Sequence, residues 1–507
     1  MLTPSEMGAA DRAAIEAGTP GFTLMTAAGA AVGRAAVEMM GGAYGRRVLV
    51  LCGKGNNGGD GLTAATWLHR KGARCTIVTL EDPASYKGDA ARALEELRGA
   101  TPLPFNGEAV SQQLERSDLV VDGMFGTGFK GALSGPAEEA ASLMDGIDAP
   151  VLAIDIPSGV NGETGAVEGS AIKADVTVTL AALKPGLILH PGARLAGEVR
   201  VAGIGIGDEQ MSGKLWVAED EDAAGVLPPR PAWAHKRSVG KVLVVAGSAG
   251  MAGAAALAAE GAARAGAGLI WAAVPGSIAA QTNGAVREAI AVGLPETGSG
   301  TLAEEAVSRV LELCDEADAV CLGPGLSRDP ETLGFVRKLV PAIERPLVID
   351  ADGLFAFASS PEALGARQHP TVLTPHSGEL GRLVGREPAE IDADRIAAAR
   401  SAAERTGAVL LLKGRPTVVA QPDGQCVAVT TGGPVLATGG TGDVLTGVIG
   451  ALAAGGAADF DAAWAGAWIH GAAADLLSTV SDRGLLAGEL LDMIPSAIGM
   501  LEKGTMP

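Results

Sequence analysis

Short runs of β-branched and apolar residues alternate with helix-like stretches along most of this 507-residue chain. In the first half, residues 47–52, 75–80, 119–122 and 151–155 read as buried strands, with helical patterns at 62–70, 90–98 and 136–146. Strands at 175–180 and 198–202 follow. Strand runs that are apolar throughout suit a sheet covered on both faces, so the alternation predicts a parallel sheet between helix layers. From about 207 to 237 the pattern breaks, with an acidic cluster at 219–222 and Pro228-Pro229-Arg230-Pro231. That stretch reads as a domain junction. A second series of strands is predicted at 241–246, 269–274, 319–322, 347–350, 372–374 and 408–412. A hairpin is expected at 417–420 and 426–430, turning at Asp423-Gly424. Beyond residue 441 the chain reads as largely helical. The expected fold class is α/β with two domains, at 1–210 and 214–507.

Composition narrows the functions open to the chain. Glycine is 73 of 507 residues, about twice the usual ~7%, with no Gly-X-Y period, which indicates many tight loops in a globular protein. The net charge of −20 argues against nucleic acid or an anionic membrane surface as partner. Residues 1–12 lack a basic, apolar leader pattern, and the apolar run 444–458 is shorter than the ~20 residues that span a bilayer. Five scattered cysteines suit the reducing cytoplasm, and no Cys or His pair has zinc-ligand spacing.

The glycines concentrate the candidate chemistry. Residues 53–61, G-K-G-N-N-G-G-D-G, follow the first strand and read as a loop whose amides can approach an anion. No Lys-Ser or Lys-Thr closes it, so it is not a Walker A loop. Carboxyl ends of parallel strands face the ligand crevice, so Asn56, Asn57, Asp60, Asp122, Asp155 and Ser158 are expected to converge. Taken singly, Asp122 and Asp155 could equally cap the helices that follow them. Gly126-Thr127-Gly128-Phe129-Lys130-Gly131 matches G-x-G-x-x-G but does not open a helix directly, so it reads as a phosphate-cradling loop with Lys130 as cation. In the second half, Thr438-Gly439-Gly440-Thr441-Gly442-Asp443 runs into a helix, which makes an anion hole with an aspartate poised to take a hydroxyl proton. Lys413-Gly414-Arg415-Pro416-Thr417 adds cations. His376 alone would more often be structural, and His69 and His470 are read as structural. Asp350 and Asp352 could serve a metal or phosphate, or cap helices.

G-N-N-G-G-D-G, V-D-G-M-F-G-T-G-F-K-G (121–131) and A-I-D-I-P-S-G (153–159) together resemble the NAD(P)H-hydrate epimerase domain, the YjeF N-terminal family. Leu24-Met25 with Ala28-Gly29 fits its N-terminal helix, although Thr26-Ala27 replace the usual polar residues. The resemblance implies a Rossmann-like three-layer sandwich. It also implies that Asn56, Asn57, Gly58, Gly59, Asp60, Gly126, Thr127, Gly128, Phe129, Lys130, Gly131, Ala132 and Asp155 hold the hydrate. Potassium would be held by Asn57, Asp122 and Ser158. Epimerisation at ring carbon six needs loss and return of the hydroxyl oxygen, or ring opening, and Asp155 is the expected acid–base group.

The second half is similar to the ribokinase-like superfamily, and to its ADP/ATP-dependent NAD(P)H-hydrate dehydratase branch. The motifs are L-G-P-G-L (322–326), D-A-D-G-L (350–354), T-P-H-S-G-E (374–379), K-G-x-x-T (413–417) and G-G-T-G-D-V-L-T-G (439–447). The resemblance implies a second three-layer sandwich, in which Lys413, Gly414, Arg415, Pro416, Thr417 and Gly442 bind ADP or ATP. Ala254, Gly325, His376 and Asp443 would contact the hydrate, with Asp443 as catalytic base and magnesium neutralising phosphate charge. The expected partners are the hydrates and ADP, with no nucleic acid and no membrane, in a homo-oligomer of four or more subunits. Two alternatives stay open: a small-alcohol or vitamin-precursor kinase fused to a nucleotide-binding domain, and a non-catalytic scaffold role for the first domain.

Overall fold

A computed structural model describes every residue except 359, 480 and 505–507, the last three closing the expected second domain. The chain divides into two compact units, Met1–Gly213 and Lys214–Pro507.

The first unit carries seven strands: β1 (Arg47–Cys52), β2 (Arg74–Thr79), β3 (Leu103–Pro104), β4 (Leu119–Gly123), β5 (Val151–Ile154), β6 (Val176–Leu180) and β7 (Glu198–Ala202). Their spatial order is 3-2-1-4-5-6-7, and every pair is parallel. The pleat sends alternate side chains to opposite faces. Val48, Val50 and Cys52 pack in one core with the helices Gly21–Met40 and Asn56–Arg70. Leu49 and Leu51 pack in another with Gly107–Leu114 and Pro136–Met144. This is the three-layer sandwich the strand pattern predicts. Strand order reverses between β1 and β4, so the loops leaving them part and open a crevice there.

The second unit adds β8 (Leu215–Val217), β9 (Lys241–Val245), β10 (Leu269–Pro275), β11 (Ala289–Leu294), β12 (Ala319–Leu322), β13 (Leu347–Ile349), β14 (Thr371–Leu373), β15 (Val409–Leu412), β16 (Thr417–Ala420) and β17 (Cys426–Val429). The order is 11-10-9-12-13-14-15-16-17-8, with β16 antiparallel to both its neighbours. Ala420 pairs with Cys426, and Gly424, at φ +87°, occupies the expected turn. On one face Val242, Val244 and Cys321 pack beneath the helices Ala252–Arg264, Thr441–Ala454 and Asp459–Ser478. The first two of these helices touch through backbone. A Cβ on Gly447 would overlap the Ala258 carbonyl, and one on Gly261 would stand 2.6 Å from the Val444 carbonyl oxygen.

Three expectations change. The acidic cluster 219–222 is not irregular: it enters the helix Asp220–Val226, where first-turn carboxylates complement the positive end of the helix dipole. Just before it, Leu215–Val217 joins the second sheet as an edge strand beside β17. The two-residue strand β3 and the six-residue edge strand β11 lie outside the predicted set. Finally, residues 56–61 are not a loop but the opening turns of the helix Asn56–Arg70. Their glycines serve close packing, since a Cβ on Gly58 would overlap the Gly53 carbonyl and one on Gly59 would stand 2.7 Å from Met25 Sδ.

Two candidate functional sites, one in each unit

A cleft of about 790 Å³ lies at the carboxyl ends of β1, β4 and β5. Asn56, Asn57, Asp60, Gly126, Thr127, Gly128, Phe129, Lys130, Ala132 and Asp155 line it. Gly58 and Gly59 are buried in packing behind its wall. Asp122, Ser158 and Gly131 are not among the lining residues. The head of the Asn56–Arg70 helix borders the cleft, so its free N–H groups and positive dipole end favour an anion there.

Beneath that helix, the Asp122 carboxylate is fully buried and accepts three hydrogen bonds. They come from the Ser158 hydroxyl at 2.6 Å, Ser158 N at 2.8 Å and Met124 N at 3.2 Å. Burial pushes its pKa up to about 6, against the pull of the Ser158 hydrogen bonds. Neither strand-end aspartate caps a helix by these contacts. Asn57 Oδ1 faces Gly126, where a Cβ would stand 2.9 Å away, and the buried Asn57 Nδ2 has no hydrogen-bond partner.

Asp155 ends β5 at φ +65°, a left-handed backbone that a non-glycine residue adopts at a cost of about 1–3 kcal/mol. Its Oδ1 accepts from Lys184 Nζ at 2.5 Å, Leu180 N at 3.1 Å and the Thr179 hydroxyl at 3.2 Å. Lys184 is fully buried. Among the other carboxylates that line the same cleft are Asp11 and Asp60. Burial raises the pKa of both. The Asp155 charge raises both further, and Lys184 opposes the rise.

In the second unit, Gly440 stands before the Thr441–Ala454 helix at φ +95°, so Gly442 and Asp443 lie in its first turn. Asp443 is half-buried, with its pKa pushed up to about 7 by burial and then by the Asp350 charge, while Lys413 pulls it down. Asp350, fully buried at the end of β13, accepts from Lys413 Nζ at 2.8 Å and from the Thr446 hydroxyl at 2.9 Å. Glu379 stands 3.7 Å from the same ammonium. Burial lowers the Lys413 pKa, but Asp350 and Glu379 outweigh it and hold the pKa above its usual value. Asp350 and Asp352 are therefore not helix caps: Asp352 accepts from Ser327 N at 3.0 Å and Arg328 Nε at 3.2 Å.

Gly442 and His376 adjoin this cluster. A Cβ on Gly442 would lie 3.3 Å from Lys413 Nζ, and His376 bridges to Lys413 along the strand ends. Gly325, at φ +62°, abuts Ala254. Gly414, at φ +155°, sits against the Arg395 guanidinium, which donates to the Leu412 and Lys413 carbonyls and so shapes the 413–417 segment. Arg415 is exposed, Pro416 is buried, and the Thr417 hydroxyl donates to the Gly414 carbonyl at 3.0 Å. His376 also has a role the sequence reading did not assign: its Nδ1 accepts from Gly378 N at 3.0 Å and caps the helix Ser377–Val384. His470 is structural, as read, with Nε2 2.9 Å from the Thr441 carbonyl oxygen and its pKa pushed down to about 4 by burial.

Comparison with known proteins agrees with the two-unit division. Residues 242–496 match the family described as NAD(P)H-hydrate dehydratase, and residues 21–186 the YjeF-related protein N-terminus family. The chain is 42% identical over 515 aligned residues to the bifunctional NAD(P)H-hydrate repair enzyme of Moorella thermoacetica, covering 99% of this chain and 97% of that one. The chain belongs to the family of bifunctional NAD(P)H-hydrate repair enzymes. The Escherichia coli member is 35% identical, over 91% of this chain and 87% of its own. A solved Bacillus subtilis ADP/ATP-dependent NAD(P)H-hydrate dehydratase, co-crystallised with ATP/Mg2+, is 32% identical. It covers 56% of this chain and 98% of its own, with a TM-score of 0.49.

Within this family member, sequence reasoning missed Lys184, Asp11 and a role for Glu379. Lys184 had a signal, a single lysine after an apolar run in Leu180-Ala181-Ala182-Leu183-Lys184-Pro185-Gly186. Glu379 stood inside T-P-H-S-G-E, and Asp11 carried no signal. All five cysteines are unpaired, and among the described residues no helix is long and apolar enough to cross a membrane.

Proposed function

We propose that the chain repairs hydrated NADH and NADPH, the first unit interconverting the R and S hydrates and the second dehydrating the S form with ADP to AMP and phosphate. The carrying observation is that each unit holds its own site, a cleft at Asp155 in one and a buried acid–base cluster at Asp443 in the other, and that each is matched by its own family. The same match disfavours the vitamin-precursor kinase and the scaffold role.

In the second unit, Asp443 takes the proton of the hydrate's C6 hydroxyl as that oxygen attacks the β-phosphorus of ADP, with AMP leaving. The phosphate ester then departs with the C6–O bonding pair while the ring nitrogen supplies electrons, and loss of a ring proton restores the reduced nicotinamide. Amides at the head of Thr441–Ala454 face the transferring phosphate, and Lys413 balances the charge of Asp350 and Glu379. Lys413 to Thr417 and Gly442 hold the nucleotide, and Ala254, Gly325 and His376 the hydrate.

Potassium fits the first unit: Asp122 is a fully buried carboxylate whose hydrogen bonds come only from uncharged donors, the Ser158 hydroxyl among them, and the Asn57 amide oxygen faces Gly126 on the segment that follows Asp122. Such oxygen donors suit a hard cation. Bound there, it would supply positive charge for the ligand's phosphates. For magnesium, no cluster of three or more His, Cys, Asp or Glu side chains able to hold a metal occurs among the described residues, so the nucleotide's phosphates are its expected ligands. Cytoplasmic residence is supported by the five unpaired cysteines, and the homo-oligomer rests on the family resemblance alone.

The test uses the full chain and separated R and S hydrates. Asp443→Ala is expected to abolish ADP-dependent recovery of reduced-nicotinamide absorbance while epimerisation, followed by chromatography, continues. Loss of both activities, or of neither, would refute the division.

A further inference from the structure

Lys184 is the most unusual charged group in the first unit. Its side chain is 0% exposed, and its Nζ lies 2.5 Å from Asp155 Oδ1, 2.5 Å from the Leu180 carbonyl oxygen and 3.2 Å from Thr179 Oγ1. Three oxygen partners match the three protons of an ammonium. All hydrogen bonds to the Asp155 carboxyl group arrive at Oδ1, and among the described residues none is made to Oδ2. Asp155 is thus fixed through one oxygen by an ammonium, an amide and a hydroxyl, while its other oxygen is uncommitted at the edge of the cleft.

We propose that Lys184 is a positioning residue that holds Asp155 as a proton acceptor and so commits the cleft to epimerisation by ring opening. The proposal rests on the epimerase reading of this unit. Expelling the hydroxyl as water needs a proton donor at that oxygen, whereas Asp155, held on Oδ1 by an ammonium, an amide and a hydroxyl, presents Oδ2 to the cleft as an acceptor. Ring opening begins with an acceptor. Asp155 Oδ2 takes the C6 hydroxyl proton, and the O–H bonding pair becomes the second C–O bond of an aldehyde. The C6–N1 bond breaks with its pair going to N1, which takes the proton from Asp155. Rotation about C5–C6 presents the other face of the carbonyl. N1 then attacks C6, the carbonyl π pair returns to oxygen, and the N1 proton passes back through Asp155 to that oxygen. No proton is consumed and the oxygen never leaves carbon six.

Two measurements on the full chain without nucleotide test this. Epimerisation in water enriched in oxygen-18, corrected for the spontaneous reaction, is expected to leave the substrate oxygen unlabelled. One labelled oxygen per epimerisation would overturn the ring-opening route. Lys184→Met is expected to lower kcat for epimerisation about 10²-fold with KM changed less than about threefold, and Lys184→Arg to restore part of the loss. An unchanged kcat, or a loss confined to KM, would overturn the positioning role. Should Lys184→Met fail to fold, Thr179→Val removes one partner each from Asp155 and Lys184, and an unchanged kcat there would equally overturn it. A wild-type chain that does not exceed the spontaneous rate would instead defeat the epimerase reading itself.

Discussion

Replacing Asp350 by Asn should move the pH dependence of dehydration to lower pH. Asp443 must be deprotonated to act as base, and its pKa of about 7 reflects burial first and the Asp350 charge second. With that pKa, about one-tenth of the wild-type molecules carry the active base at about pH 6, and about nine-tenths at about pH 8. Asp350→Asn deletes the nearby negative charge and frees the Lys413 ammonium from its 2.8 Å partner, so both changes lower the Asp443 pKa. A fall of about one unit, about 1.4 kcal/mol, would put half the molecules in the active form at about pH 6. Relative to its own plateau, the variant's rate there should rise about fivefold. The assay is single-turnover recovery of reduced-nicotinamide absorbance at saturating ADP across the pH range, with thermal unfolding to confirm that the second unit is folded. A half-rate pH that stays in place or moves upward would refute the electrostatic account of Asp443.

Gly58→Ala should abolish epimerisation and leave ADP-dependent dehydration of the S hydrate intact, because the new methyl group would overlap the Gly53 carbonyl and push the head of the Asn56–Arg70 helix from the cleft. Parallel assays of the two activities check this. Ser158→Ala removes the 2.6 Å hydrogen bond to the fully buried Asp122, which should cost about 1–3 kcal/mol in thermal unfolding of the first unit. It should also raise the potassium concentration needed for half-maximal epimerisation, measured by titration.

The strand pattern made the architecture legible because both sheets are covered on two faces, which forces apolar runs such as Val48–Leu51 and Val242–Val245. The strands missed all lie at sheet edges: β3 is two exposed residues, β11 is exposed or half-exposed along its middle, and β8 is a three-residue strand paired with β17, far away in sequence. Strand-end position placed Asp60 and Asp155 on one cleft. It could not show Lys184, whose partners Asp155 and Leu180 are brought together only by the pairing of β5 with β6. The 53–61 segment misled in a specific way. Glycine density signals freedom to adopt left-handed backbone, but it equally permits close approach, and the sequence does not distinguish the two.

The glycine contact between Ala252–Arg264 and Thr441–Ala454 has a mechanical consequence. Where backbone rests on backbone at Gly261 and Gly447, no side chain can rearrange to absorb a displacement. The helix that begins at Thr441 therefore behaves as a strut anchored from behind, and Asp443 in its first turn inherits that fixity. Any movement that admits substrates and releases products falls to the segments facing this strut, since the base itself stands on the immobile side of the site.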